Sequence, residues 1–330
     1  MKASRTSPPL QVRGGPGRAP VGRARVAAGR VVLLVAACGE PPGAPLEVGL
    51  VAAAVPASVA DVVPTASAPE VMPRPRCPPE MVLVWAGSRR FCVDRYESIL
   101  IDTTSGARLS PYYTPSRKWA GQAARYWSER RLEVGDEKAQ AVPLPPLPAW
   151  QLQREVTPKA VSRPGVVPNG HVRGTDAVVA CREAGKRLCT WDEWQRACRG
   201  ETQEQHPYGP TYERGRCNVF REAHPAAVLH DDASRGHTDP RLNQVTVNGK
   251  PLLRKTGATP DCASRWGDDA IYDMVGNLDE WVDNPDGEFA GGFYARSATE
   301  GCERHTSAHP LIYGDYSTGV RCCQSLPSVE

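Results

Sequence analysis

The chain has no cysteine pair at the Cys-x-x-Cys spacing of a zinc site, although it carries 11 cysteines in 330 residues. The common thiol-clamped zinc modules are therefore excluded. Residues 1–37 lack any acidic side chain. Residues 39–76 have almost no aromatics, so they cannot bury enough surface to offset their own ordering entropy. After the N-terminal segment there is no apolar run approaching the roughly 20 residues needed to span a bilayer. No internal repeat is visible, which removes stacked-repeat architectures. A basic stripe is missing too. The chain carries 40 Lys and Arg against 37 Asp and Glu, and seven of the basic residues lie in the first 37 positions. Without them the balance is 33 against 37, a net of −4, and no nucleic-acid partner is implied.

What is present begins with that basic segment. Lys2, Arg5, Arg13, Arg18, Arg23, Arg25 and Arg30 precede the apolar run Val31–Ala37, which ends in Val35-Ala36-Ala37-Cys38. A basic region, an apolar region and small residues before a cut site read as an export signal. Small residues directly before a cysteine resemble the bacterial lipoprotein box, which would lipidate Cys38 and anchor the chain in a bacterial cell envelope, facing the periplasm or the outer surface. A secretion signal without lipidation, or a chance run, has the same composition. The domain expectation is a signal segment at 1–38, an Ala/Pro-rich tether at 39–76 and a folded domain at 77–330.

The cysteine count agrees with export. With Cys38 set aside, ten remain, an even number that can form up to five disulfides in an oxidising compartment. Met81–Trp85 and Phe91–Val93, separated by Ala86-Gly87-Ser88, predict an opening hairpin. Residues 139–170 hold seven prolines and predict a surface excursion outside the core. A helix is expected from Thr175-Asp176, presenting Ala177, Val178, Cys181 and Ala184, with Gly185 at its C′ position. A second should start at Thr190-Trp-Asp-Glu193, where Thr190 caps and Glu193 reaches back. Residues 200–269 read as long irregular loops, and 271–323 as short strands and turns.

The run Asp273-Met-Val-Gly-Asn-Leu-Asp-Glu-Trp281 concentrates a turn glycine, the side-chain oxygens of Asn277 and Glu280, and a large anchor at Trp281. Such a loop suits a hard cation such as Ca²⁺, which takes carboxylate, amide and backbone oxygens together. A plain turn ahead of a buried strand accounts for the same residues.

In order along the chain, Met81–Val84, Phe91–Glu97, Ala184-Gly-Lys-Arg-Leu-Cys-Thr-Trp-Asp-Glu-Trp194, Ala197–Gly200, Pro207–Gly209, Asp273–Trp281, Gly291-Gly292 and Gly319-Val-Arg-Cys322 resemble the formylglycine-generating enzymes, or sulfatase-modifying factors. The resemblance spans roughly residues 78–324, with Cys189 where the family usually has proline. It implies an α+β, C-type-lectin-like fold: little regular structure, a small antiparallel sheet, two helices and long loops pinned by calcium and disulfides. It implies one Ca²⁺ site at Asn277 and Glu280 with backbone oxygens near Gly276 and Leu278, and another at Asn218 and the backbone of Val219. It also implies the disulfides Cys181–Cys322 and Cys198–Cys302. The other expected pairs are Cys77–Cys92, Cys189–Cys323 and Cys217–Cys262. Cys322 and Cys323 should bond to different partners, since a ring between neighbours is strained.

The family's oxidases bind copper through two thiols just after the Gly-Gly turn. Here those positions fall near Phe293 or Tyr294 and near Ala298, none of them cysteine. Copper is therefore not expected, because Cu(I) needs soft thiolate ligands. A free catalytic Cys302 is the alternative, and it would orphan a partner in an even set. His305 and His309 could join an acid in a replacement metal site, although loop histidines in solvent fit the same spacing. His224, His230 and His237 cluster loosely upstream, and Asp231-Asp232 reads as a cation ligand or a solvated turn. Tyr294, Arg296, Glu300, Arg304, His305, Tyr313 and Tyr316 are residue types common in recognition surfaces, and the resemblance places their stretch on an exposed concave face. The leading expectation is a lipid-anchored, non-catalytic module binding a peptide, glycan or protein ligand. An oxidative metalloenzyme and a purely structural envelope lipoprotein are the alternatives.

Overall fold

The continuous apolar run Met81–Ala86 and the strand Arg89–Asp94 form the expected hairpin, with Val82 opposite Val93 and Gly87 turning at φ 60°. These two strands begin a computed structural model that describes residues 76–220, 223–296 and 298–326. All of these lie in one compact unit, Pro69–Glu330. The signal, Cys38 and nearly all of the tether fall outside the described residues. None of the described helices is long and apolar enough to cross a membrane.

The hairpin continues into a four-stranded sheet through Cys322–Ser325 and Arg187–Leu188, every neighbour antiparallel. A second four-stranded sheet runs in the order His305–Thr306, Phe289–Ala290, Asp279–Trp281, Thr318–Gly319. Its last pair is parallel, so the antiparallel run of this sheet ends where the chain returns. Both helices expected from the sequence are present. Gly174–Glu183 ends with Gly185 at φ 70°, the left-handed stop that glycine tolerates. Trp191–Arg199 starts with the complete Thr190/Glu193 capping box, which satisfies two backbone N–H groups that the helix cannot. Val178, expected on the apolar face of the first helix, is exposed; Ala177, Ala180 and Cys181 make the buried face.

All ten described cysteines are in disulfides, paired as expected: Cys77–Cys92, Cys181–Cys322, Cys189–Cys323, Cys198–Cys302 and Cys217–Cys262. Cys322 and Cys323 point to opposite faces of their strand, and so reach different partners.

The proline-rich stretch departs from expectation. Pro158–Ser162 is a strand paired along its length with Ser98–Asp102, and Ala160 lies in the core. Pro158 sits at the strand's first position, where a missing N–H costs least. Buried Asn169 then accepts from Leu100 N–H and donates to Ser110 C=O, tying the segment inward. The helix Arg117–Arg130 has no side-chain cap and buries only Ala120, Gly121 and Trp127, so the sequence shows no clear signal for it.

Candidate functional site

The strand Asp279–Trp281 lies at the centre of the second sheet, and its two-residue period sends neighbouring carboxylates to opposite sides. Glu280 faces the Trp191–Arg199 helix. Its Oε atoms accept from Arg321 Nε and Nη2 at 2.7–2.9 Å, and Oε2 also accepts from Trp194 Nε1 at 2.7 Å. Arg321, fully buried, completes its donors on the carbonyls of Asp94 and Tyr272. The same pocket holds Glu97 and Asp273. Burial pushes the Glu97 carboxyl well above the ordinary range, and repulsion from Asp273 and Glu280 adds to it. Burial likewise raises Asp273 to about 7.

Asn277 closes this network at φ 61°, a left-handed turn that asparagine accepts more readily than most residues. Its Oδ1 accepts from Asn218 Nδ2 and Arg254 N, and its Nδ2 donates to Glu97. The preceding Gly276, at φ 82°, leaves no room for a side chain, since a Cβ would sit 2.5 Å from Asn218 C=O. Glu97 also accepts from the Leu278 N–H. The oxygens expected to hold a cation at Asn277 and Glu280 are thus committed to protein donors, and a Ca²⁺ ion there would have to displace Arg321. At the other expected position, the Asn218 Oδ1 is buried without a partner.

On the other face of the strand, Asp279 opens onto a cavity of about 270 Å³. Its walls are largely aromatic, from Phe289, Phe293, Tyr313, Tyr316, His224, His237 and His309, with Asp315, Ser317 and Arg296 as the other polar lining groups. Asp279 is 1% exposed, and neither carboxylate oxygen has a hydrogen-bond partner. The Gly292 amide faces it without closing a hydrogen bond. Burial raises the Asp279 carboxyl to about 7; Arg296 opposes that shift and Asp315 reinforces it. Asp315, by contrast, is saturated by Ser317 N and Oγ on one oxygen and Tyr313 Oη on the other. His224 Nδ1 accepts from Ala226 N–H, so in the neutral ring Nε2 carries the proton and donates to Tyr316 Oη at 3.0 Å. Burial lowers the His224 pKa and keeps that ring neutral.

The seven expected recognition residues do not form one face. Arg296, Tyr313 and Tyr316 line the cavity. Tyr294 is core: it is fully buried and its hydroxyl donates to Asn243 Oδ1 at 2.9 Å. Its aromatic body was needed for packing, which sequence alone does not separate from recognition. Glu300 and Arg304 pair with each other, while His305 packs on Trp191. His309 instead stacks on Tyr313 with ring centroids 3.9 Å apart. The two histidines therefore have different surroundings, and among the described residues no three His, Cys, Asp or Glu side chains could hold a metal ion. Asp232 accepts from Ser234 N and Oγ in a surface turn. The positions matched to the oxidase thiols, Phe293, Tyr294 and Ala298, are buried and apolar or aromatic. Cys302 is bonded to Cys198 and is not a free thiol.

Sequence reasoning missed Asp279. The usable signal was its place two residues before Trp281, an acid on the same strand face as a buried tryptophan.

The fold and these motifs define an α+β domain of the formylglycine-generating type. The sulfatase-modifying factor enzyme 1-like domain family matches residues 67–308, and the chain belongs to that family. It is similar to a formylglycine-generating enzyme of Thermomonospora curvata, 29% identical over 54% of this chain and 61% of that protein. It is also similar to the inactive C-alpha-formylglycine-generating enzyme 2 of Bos taurus, 31% identical over 34% of this chain and 31% of that one. The chain thus spans less than two thirds of the length of either relative. Among solved structures, PvdO from Pseudomonas aeruginosa aligns at 15% identity over 72% of this chain and 81% of its own, with a TM-score of 0.32. CarF aligns at 12% identity over 75% and 97%, with a TM-score of 0.33.

Proposed function

We propose that this chain is a non-catalytic, ligand-binding member of its family, exported and held at a bacterial cell envelope by a lipid on Cys38. The observation that carries the reading is the fate of sulfur: every described cysteine is in a disulfide, and the positions matched to the copper thiols are Phe293, Tyr294 and Ala298. Thiolate chemistry needs a free, ionisable cysteine, and none of the described ones is available. Relatives named as inactive fit a scaffold kept after the chemistry was lost. Five disulfides fit an oxidising compartment and so support export.

Binding is assigned to the cavity bounded by Arg296, Tyr313 and Tyr316, where part of a peptide, glycan or partner protein would insert. The test is direct. Purified protein, given copper, oxygen and a cysteine-containing peptide, should leave that cysteine unchanged by mass spectrometry and consume no oxygen. Turnover to formylglycine would overturn the reading. Globomycin treatment of the native host should leave the precursor uncleaved; normal processing in its presence would remove the lipid anchor from the proposal.

A further inference from the structure

We propose that the cavity beside Asp279 seats an organic monocation, an ammonium or guanidinium group carried by the ligand. This rests on the ligand-binding reading above and names the chemistry of its central contact.

Buried polar atoms are nearly always hydrogen-bonded, and a buried carboxylate without a donor is among the costlier exceptions. Asp279 has both oxygens in that state, at 1% exposure, at the edge of open space. Every other acid around this strand has found protein donors: Glu280 has Arg321 and Trp194, and Asp315 has Ser317 and Tyr313. The exception is therefore local to the cavity wall.

The walls select what can fill it. Phe289, Phe293 and Tyr316 present rings to the space, and aromatic faces attract cations, most strongly when water is excluded. A divalent metal would need further ligands, and no group of three His, Cys, Asp or Glu among the described residues supplies them. An organic cation needs only the one carboxylate and the rings. The volume, about 270 Å³, falls just below the range of pockets for drug-sized ligands and suits a side-chain-sized group. Arg296 sets a limit at the rim, with its guanidinium 5.5 Å from the Phe293 ring centroid. It repels a second positive charge, so the favoured ligand carries a single cation at its tip.

The experiment is calorimetric titration of the full chain with three probes of one shape: n-butylammonium, 1-butanol and butyrate. Butylammonium should bind, and the two others should bind at least about tenfold more weakly, since they cannot donate to a buried carboxylate. Asp279→Asn should weaken butylammonium by about tenfold, and Arg296→Gln should tighten it by a few-fold. Thermal unfolding of both variants establishes that they are folded. Equal binding of butanol, retained affinity in Asp279→Asn, or no butylammonium heat at any concentration overturns the assignment. Butyrate or butanol binding in the absence of butylammonium binding sinks the cation while leaving the ligand-binding reading intact. Formylglycine turnover sinks that reading whatever the probes do.

Discussion

Asp279 and Glu280 are adjacent, equally buried and on one short strand, yet one side of that strand is saturated and the other is not. Behind Glu280, three acids converge on a single fully buried arginine, with Asn277, Trp194 and main-chain atoms filling the remaining valences. In front of Asp279 lie aromatic rings and a cavity, and neither carboxylate oxygen has a hydrogen bond. The first arrangement holds the fold together, because removing any member strands a charge in low dielectric. The second leaves a buried carboxylate without a hydrogen bond, an exception that calls for a local explanation. A two-residue strand period is enough to separate the two roles.

The sharpest way to break this comparison is Arg321→Leu. It leaves Glu280 uncompensated and should cost roughly 3–5 kcal/mol in urea unfolding. A loss no greater than that of an exposed arginine would mean the two sides do not differ. Next in size is a pH effect at buried His171, whose backbone N–H donates to the Asp315 carbonyl. Burial lowers the His171 pKa to about 4 from an ordinary 6.5. The unfolded chain takes up a proton there as pH falls below about 6.5, and the folded chain does not until about 4. Stability from this residue is therefore full above pH about 6.5 and is lost on acidification to about 4, by at most about 3 kcal/mol. His171→Asn suits its left-handed φ of 57° and should flatten that slope in the wild-type-minus-variant curve. If the curves run parallel, the ring is not held neutral.

Asp279→Asn should raise stability by about 1–2 kcal/mol, because it removes a buried charge that has no protein donor. Glu280→Gln should do the opposite. Matching signs for the two substitutions would erase the contrast. The smallest effect is expected at Thr190→Ala, about 1 kcal/mol by thermal melting, since it removes one cap and leaves both sides of the strand untouched.

Much of this was legible in the sequence where one residue type does one job. The Thr190/Glu193 capping box, Gly185 after its helix and the Gly87 turn all depend on backbone geometry that few residues satisfy. The family motifs likewise carried the fold class. The proline-rich 139–170 segment was misread because the strand Pro158–Ser162 is set by pairing with Ser98–Asp102, some sixty residues earlier, and a local pattern contains none of that. Tyr294 was assigned to recognition for its type, but a tyrosine with an internal acceptor packs as readily as it recognises. Asp279 stood in the motif as a filler position. Its importance comes from donors that are missing, and no sequence prints those.

The neighbouring Cys322 and Cys323 have a consequence for biogenesis. Two of the five cross-links, to Cys181 and Cys189, wait for this pair, which lies more than 130 residues further along. A nascent chain leaving the ribosome in order cannot close these two cross-links until the late residues emerge. Chains broken off before residue 322 would carry two unsatisfied sulfurs, a chemical mark by which unfinished product could be trapped or cleared.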